Sequence, residues 1–264
     1  MPKRSSWEQR IARCEELLSR KDPGHDVLAL YREVLDIQQR LAQDLGLQSR
    51  RRAGESLREA INVEAVFPMM AALLRVVEKK GPSMLAQEAR RLLSSDHEQQ
   101  RQVLLDYLRE GTPMNVTLQS FFARVLVQPG AEALALQSAP AGGPGGSTCP
   151  LCGSKPQLAV LYAEGDDGKR YLVCSFCSAQ WEHRNVWCPA CEETERTKLP
   201  RYEAKHYPAI RVEACDSCKA YLKSFDMTID GLQVPEVDEI VSVPMDLWAG
   251  EQGYRKIQLN VMGF

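Results

Sequence analysis

With 264 residues, 44% of them hydrophobic and 26% charged, the chain has the composition of an ordinary globular protein, long enough for a helical domain plus one or two small modules. A formal charge of −2 supplies no global basic field for nucleic acid and no polybasic tail for an anionic membrane. The first residues, Met1-Pro-Lys-Arg-Ser-Ser, lead into a charged helix-period segment without the apolar core of a secretory leader, and no apolar run reaches the length of a membrane span. The expected location is the cytoplasm, with no membrane insertion. Thiols stay reduced there, so eight cysteines in pairs point to metal or redox chemistry rather than disulfides.

From about Ser5 to Leu136 apolar residues recur every three or four positions, which predicts an all-helical domain over residues 1–137. Ile11, Cys14, Leu17 and Leu18 share a face of the first helix, placing Cys14 in the core, and Ser5 with Glu8 fits a capping box. Pro23-Gly24 breaks that helix. Val27, Leu28, Tyr31, Leu35, Ile37, Leu41 and Leu45 outline a second that stops near Gly46. Further helices are expected at 56–66, 68–80, 83–94, 96–110 and 116–137, separated by Pro68, Gly81-Pro82, Ser94-Ser95 and Gly111-Thr112-Pro113, with Ser95 and Glu98 as another capping box.

Glycines and prolines crowd residues 138–148, which reads as a linker. Beyond it come short β-like pieces, Leu158–Tyr162, Arg170–Val173 and Ile210–Glu213, then an extended Leu232–Val234, a short helix near Val237–Glu251 and an apolar end, Val261-Met-Gly-Phe264, expected to pack on the rest. The fold class is α+β, an all-helical N-terminal domain followed by two tandem small β modules, 149–187 and 188–264, the second carrying the C-terminal helix and tail.

The modules are defined by four Cys-x-x-Cys pairs within seventy residues: Cys149 and Cys152, Cys174 and Cys177, Cys188 and Cys191, Cys215 and Cys218. Two intervening residues let a tight turn aim both sulfurs at one point, as in four-cysteine tetrahedral sites. The segment also repeats, since Cys-Pro-x-Cys opens each half and a pair that follows a short strand closes it. Duplication assigns Cys149, Cys152, Cys174 and Cys177 to one metal and Cys188, Cys191, Cys215 and Cys218 to the other. Spacing leaves zinc and iron open. About forty residues per half cannot hold themselves together by burial, so bound metal is expected to supply much of the folding free energy.

Other signals carry less. His183, between Trp181 and Trp187, and His206, beside Tyr207, could be alternative ligands or proton donors, but the sulfur count is complete without them. Arg50-Arg51-Arg52 reads as a solvated cluster. No GxGxxG, P-loop, HExxH or nucleophilic serine elbow occurs, so no enzyme activity is expected. A zinc-ribbon protein with structural zinc that binds nucleic acid is the alternative, against which residues 149–223 mix basic and acidic side chains almost evenly.

The order Cys149-Pro-Leu-Cys-Gly-Ser-Lys-Pro156, Tyr171-Leu-Val-Cys-Ser-Phe-Cys-Ser-Ala-Gln-Trp181 and Glu213-Ala-Cys-Asp-Ser-Cys-Lys-Ala-Tyr-Leu222, after a helical N-terminal part, resembles the formate dehydrogenase accessory protein FdhE family. The tail adds Val234-Pro-Glu-Val-Asp-Glu-Ile240, Asp246-Leu-Trp-Ala-Gly-Glu-Gln-Gly-Tyr-Arg255 and Asn260; Pro244 and Val261 depart from the family's pattern. The resemblance implies two rubredoxin-like modules that bind iron through the eight paired cysteines, with zinc possible instead. It also implies a cytoplasmic role in the maturation of respiratory formate dehydrogenases through contact with the catalytic subunit. No nucleic-acid partner is expected, and a homo-oligomer is left open.

Overall fold

Ser6, Asn62, Asp96 and Thr117 each start a helix, their short polar side chains satisfying otherwise orphaned amides. The computed structural model describes residues 4–20, 24–45, 50–52, 54–110, 117–138, 146–164 and 168–264. The breaks expected at Pro23, Gly46 and Gly111-Thr112-Pro113, most of the linker and the turn at Gly165 lie outside them. The helical half comprises α1 (Trp7–Arg20), α2 (His25–Leu45), α3 (Val63–Val66), α4 (Met70–Lys80), α5 (Ser83–Leu93), α6 (His97–Glu110) and α7 (Leu118–Leu136).

The capping box of α1 is Ser6 with Gln9, each amide donating to the other's side chain, and not Ser5 with Glu8. Ser5 is occupied elsewhere, its hydroxyl donating to Glu236 far along the chain. Likewise α6 starts on Asp96, whose carboxylate accepts the Gln99 amide, while Ser95 turns back to the Leu92 carbonyl. The single helix expected over 56–66 is instead a turn closed by Ser56 and Glu59, followed by the one-turn α3. Asn62 accepts the Glu64 amide and so restarts the helix there.

Cys14 is fully buried, as the apolar stripe of α1 requires. The centre of the helical half is α7, which buries residues on every side, from Phe121 and Phe122 to Leu134 and Ala135, and packs against α2, α4, α5 and α6. Between Ser120 and Ala135 no residue of this helix is exposed, and its charged side chains, Arg124 and Glu132, are buried with the apolar ones.

The second half forms one sheet from β1 (Pro156–Tyr162), β2 (Lys169–Cys174), β3 (Gln180–Glu182), β4 (Arg201–Ala204), β5 (Tyr207–Ala214), β6 (Ala220–Asp226) and β7 (Arg255–Lys256). The strand order is β3-β2-β1-β6-β5-β4, with β7 added beside β6. Each cysteine-bearing half gives three antiparallel strands, and the halves meet where β1 and β6 pair in parallel, Leu158 opposite Lys223 through Leu161 opposite Asp226. Alternation along the strands sorts side chains between two faces. Ala159, Leu172 and Leu222 join the core shared with the helices; Leu158, Val160, Val173 and Phe225 join a second core. That second core is closed by Met245 and Ala249 of α9 (Val243–Glu251), which follows α8 (Pro235–Val241). The one C-terminal helix expected from the sequence is therefore two. Pro244 stands in the first turn of α9, where its missing N–H costs nothing, so its ring ends one helix and begins the next.

The halves are joined by ion pairs from α1 to α8, Arg10 with Glu236 and Arg13 with Asp238, and a further buried pair ties α1 to α7 within the helical half. Arg10 of α1 forms a two-point contact with Glu132 of α7, at 3.0 and 3.1 Å, and Arg13 meets Asp238 of α8 at 2.6 Å. Burial pushes the Glu132 carboxyl up, but Arg10 and Arg4 more than offset this and hold it below the usual carboxylate range. Removing one partner of such a pair strands the other charge. Arg10→Met is thus expected to cost about 3–5 kcal/mol in urea unfolding, and the double change Arg10→Met with Glu132→Met to recover most of that loss.

Candidate metal centres

The four cysteine pairs sit on four copies of one backbone turn. In each, the amide of the first cysteine donates to the carbonyl five residues on, and the amide four residues on donates back to that cysteine's carbonyl. The paired distances are 2.8 and 2.8 Å at Cys149, 2.9 and 3.2 Å at Cys174, 2.9 and 2.9 Å at Cys188, and 2.9 and 2.8 Å at Cys215. The fifth residue of each turn has positive φ: Gly153 at 72°, Ser178 at 51°, Glu192 at 66° and Lys219 at 58°. Only the first is glycine; for the other three the left-handed conformation costs of order 1 kcal/mol. These residues escaped the sequence reading, although aligning the four pairs at their first cysteine puts Gly153 in register with them.

Strand placement then brings the turns together in twos. The turn at Cys149 leads into β1, the turn at Cys174 links β2 to β3, and antiparallel pairing of β1 with β2 sets them side by side. The turn at Cys215 links β5 to β6 and meets the turn at Cys188 in the same manner. Cys149, Cys152, Cys174 and Cys177 form one group and Cys188, Cys191, Cys215 and Cys218 the other, the sulfurs of each within 4.8 Å of one another.

Close sulfur separations are 3.4 Å for Cys152 and Cys174, 3.7 Å for Cys149 and Cys177, 3.7 Å for Cys188 and Cys218, and 3.6 Å for Cys191 and Cys215. These exceed a disulfide bond of about 2.05 Å. A tetrahedron with metal–sulfur bonds of about 2.3 Å has edges of about 3.8 Å, so both groups fit one thiophilic ion each, zinc or iron, with little adjustment. Backbone amides already point at two sulfurs, Phe176 at Cys174 and Ala190 at Cys188.

Burial pushes the Cys174 and Cys188 thiols above their ordinary range and Cys218 up to about 11, and the neighbouring thiols Cys149 and Cys152 raise Cys177. Hydrogen bonds from Cys149 and Cys174 hold Cys152 low. Four thiolates at one point need a cation among them, so metal binding here displaces protons.

The surroundings of the two groups differ. Beside the first, Phe176 lies under the Arg58 guanidinium at 4.0 Å and next to Tyr107, and Arg124 donates to the Ser175 carbonyl at 3.0 Å. The Ser178 hydroxyl donates to Glu132 at 2.6 Å. Around the second, Ser217 donates to Glu193, and Lys219 and Tyr254 donate to Asp216.

Neither histidine considered from the sequence belongs to a sulfur group. His183 is buried, and its Nδ1 accepts from Arg170, 3.0 Å away, which in turn pairs with Glu213. Its ring stacks at a tilt on Trp187, and His206 meets Tyr207 edge to face. Arg50, Arg51 and Arg52 are exposed. Among the described residues no helix is long and apolar enough to cross a membrane.

Residues 148–185 match the family model described as FdhE, central domain, and residues 186–262 the model described as FdhE, C-terminal domain. A protein FdhE homolog of Aquifex aeolicus is 38% identical over 117 residues, covering 44% of this chain and 41% of the relative. One from Pseudomonas aeruginosa is 33% identical over 119 residues, covering 43% and 38%. The matches thus span about two fifths of the length of these curated relatives. The crystal structure of the FdhE protein from Pseudomonas aeruginosa is similar in fold over 99% of this chain and 97% of that one, with a TM-score of 0.73 and 23% identity.

Two outcomes follow from the geometry. Replacing a strained left-handed residue by glycine relieves the turn, so Glu192→Gly and Lys219→Gly should each stabilise the metal-loaded chain by about 1 kcal/mol in urea unfolding, and Gly153→Ala should destabilise it by a similar amount. Burial, then the Arg170 charge, depresses His183 to about 4, below its unfolded value of about 6.5. Its contribution is therefore fully present above pH 6.5 and lost as pH falls through 4. Unfolding titrations should show on the order of 2 kcal/mol less acid loss across that window in His183→Gln, which keeps an acceptor for Arg170.

Proposed function

We propose that this chain, which belongs to the FdhE family through its residues 148–262, is an accessory factor in the maturation of respiratory formate dehydrogenase. In this reading the protein works in the cytoplasm, by binding and not by catalysis. Cys149, Cys152, Cys174 and Cys177 hold one iron ion, and Cys188, Cys191, Cys215 and Cys218 a second, in two rubredoxin-like sites. The observation that carries the reading is that both thiol tetrahedra lie inside the matched residues, each built from one opening and one closing pair.

Residues 1–137 are read as a helical domain, 138–148 as a linker, and 149–187 and 188–264 as the two metal modules. A stand-alone electron carrier needs little more than one module and a docking patch, whereas half of this chain is helical. That surplus supports a partner-binding role, with the dehydrogenase catalytic subunit as the partner. Iron held by four thiolates can pass one electron, which zinc cannot. The preference for iron over zinc comes from the family resemblance, since the thiol geometry suits both.

Protein purified from cells supplied with both metals is expected to carry two equivalents of iron and to show thiolate-to-iron absorption in the visible. Zinc alone, without that absorption, would sink the iron assignment. In pull-downs, the catalytic subunit is expected to be retained by the wild type and lost or weakened with Cys149→Ser/Cys152→Ser and with Cys215→Ser/Cys218→Ser. If the wild type fails to retain it, the accessory role is wrong.

A further inference from the structure

We propose that the two thiol centres have different tasks: the first is a permanent staple between helices and sheet, and the second is an exchangeable centre that opens at Cys191. The proposal rests on the reading that both groups bind metal.

At the first centre, Cys149, Cys174 and Cys177 are at most 2% exposed and Cys152 is half-buried, so no sulfur there is exposed as Cys191 is. Both of its turns are gripped from the helical half. Arg124 of α7, 4% exposed, holds the Ser175 carbonyl and reaches the Leu259 carbonyl and the Gln157 side chain with the same guanidinium. Glu132, also on α7, accepts from Ser178, and Arg4 donates to the Ser178 carbonyl. Arg58 lies over Phe176 and donates to the Ser154 hydroxyl. For metal to leave, a sulfur must swing away from it, and here that motion must break buried contacts to α7 and to the segment around Arg58. Outer contacts of this kind change metal affinity by about 10- to 100-fold.

The second centre is held differently. Cys191 is exposed and Cys218 half-buried. Ala190, Glu192, Asp216, Ser217 and Lys219, which make up the tips of its two turns, are exposed as well. Its polar contacts link one turn to the other, through Ser217 and Glu193, or reach outward, from Tyr254 to Asp216 and from Ser147 to Glu192. A cavity of about 190 Å³, walled by Trp187, Leu199 and Arg201, is lined also by Cys188 and Cys215. Solvent and small ligands therefore approach this centre at the exposed Cys191, and the cavity adds open space beside Cys188 and Cys215.

Exchange at such a centre is ligand substitution without change of oxidation state. A donor atom of the incoming ligand binds the metal as the Cys191 thiolate leaves and takes up a proton. The remaining three thiolates follow, and the metal ends on the incoming ligand with four protons taken up by the protein. The division of tasks separates a centre that keeps the fold from one that can lose and regain its ion with the fold intact.

The test uses the full chain loaded with zinc and mixed with an excess of 4-(2-pyridylazo)resorcinol, with release followed by the colour of the zinc complex. Two phases of one equivalent each are expected, the second slower by roughly tenfold or more. Cys191→Ser should lose the fast equivalent and keep the slow one at its original rate, with helical circular dichroism unchanged. Independently of any variant, iodoacetamide should alkylate Cys191 of the zinc-loaded wild type before Cys149, Cys174 or Cys177. Release of both equivalents in a single phase, loss of the slow phase in Cys191→Ser, or alkylation that starts at the first centre would overturn the proposal. A chain that takes up no zinc would instead overturn the metal-binding reading beneath it.

Discussion

Glu132 is a carboxylate inside the protein, and its two oxygens accept from side chains of three different segments. Arg10 of α1 takes both in a two-point contact, and the Ser178 hydroxyl, on the turn that closes the first sulfur group, takes one of them. A buried charge without partners is among the costliest features a fold can carry, so α1, α7 and that turn must arrive at their places together. The helical half and the sheet are thereby one cooperative structure, in which a change at a cysteine turn is felt by the helices and the reverse.

The same coupling accounts for how two small cysteine-bearing halves sit on a large helical body. Each cysteine-bearing half contributes only three strands, too few to bury both faces of a sheet on their own. Parallel pairing of β1 with β6 fuses the halves into one sheet with two usable faces, one lying on the helices around α7 and the other covered by α9. The sulfur groups fall at the ends of strands, where tight turns bring two cysteine pairs together. Position along the sheet then decides their surroundings: the first group lies against α7, the second at the far side of β6.

Much of this was legible in the residues because the signals are local. The three-and-four spacing around Cys14 marks a buried face, short β-like apolar runs bounded by turn residues mark β1 and β2, and the repeat of Cys-x-x-Cys indicates which pairs meet. What escaped is decided by distant partners. Ser5 looks like a helix cap, yet it bonds Glu236 and leaves the cap to Ser6. The parallel contact of β1 with β6 joins segments about sixty residues apart, and no sequence period announces it. Ser178, Glu192 and Lys219 hold a conformation that glycine favours, and only the turn's paired backbone hydrogen bonds, visible in three dimensions, explain them.

The tail shows how a thinly covered second centre can still be held in place. Lys223 on β6 is fully buried and donates to Asp246 of α9 at 2.5 Å and to the Glu239 carbonyl of α8. Lys256 on β7 meets both Glu239 and Asp246, and Asn260 reaches the other oxygen of Glu239. Two ammonium groups and two carboxylates thus neutralise one another in the interior, and each is sited by a different element: β6, β7, α8 and α9. Desolvation offsets much of the attraction in such a set when it is complete, whereas losing one member strands a buried charge and is strongly unfavourable, so the four elements must keep their places together. The cluster therefore fixes β6 just beyond the turn at Cys215 and Cys218, without touching the sulfurs. The second centre is anchored through its strand, and the freedom of its exposed edge at Cys191 does not come at the expense of the sheet.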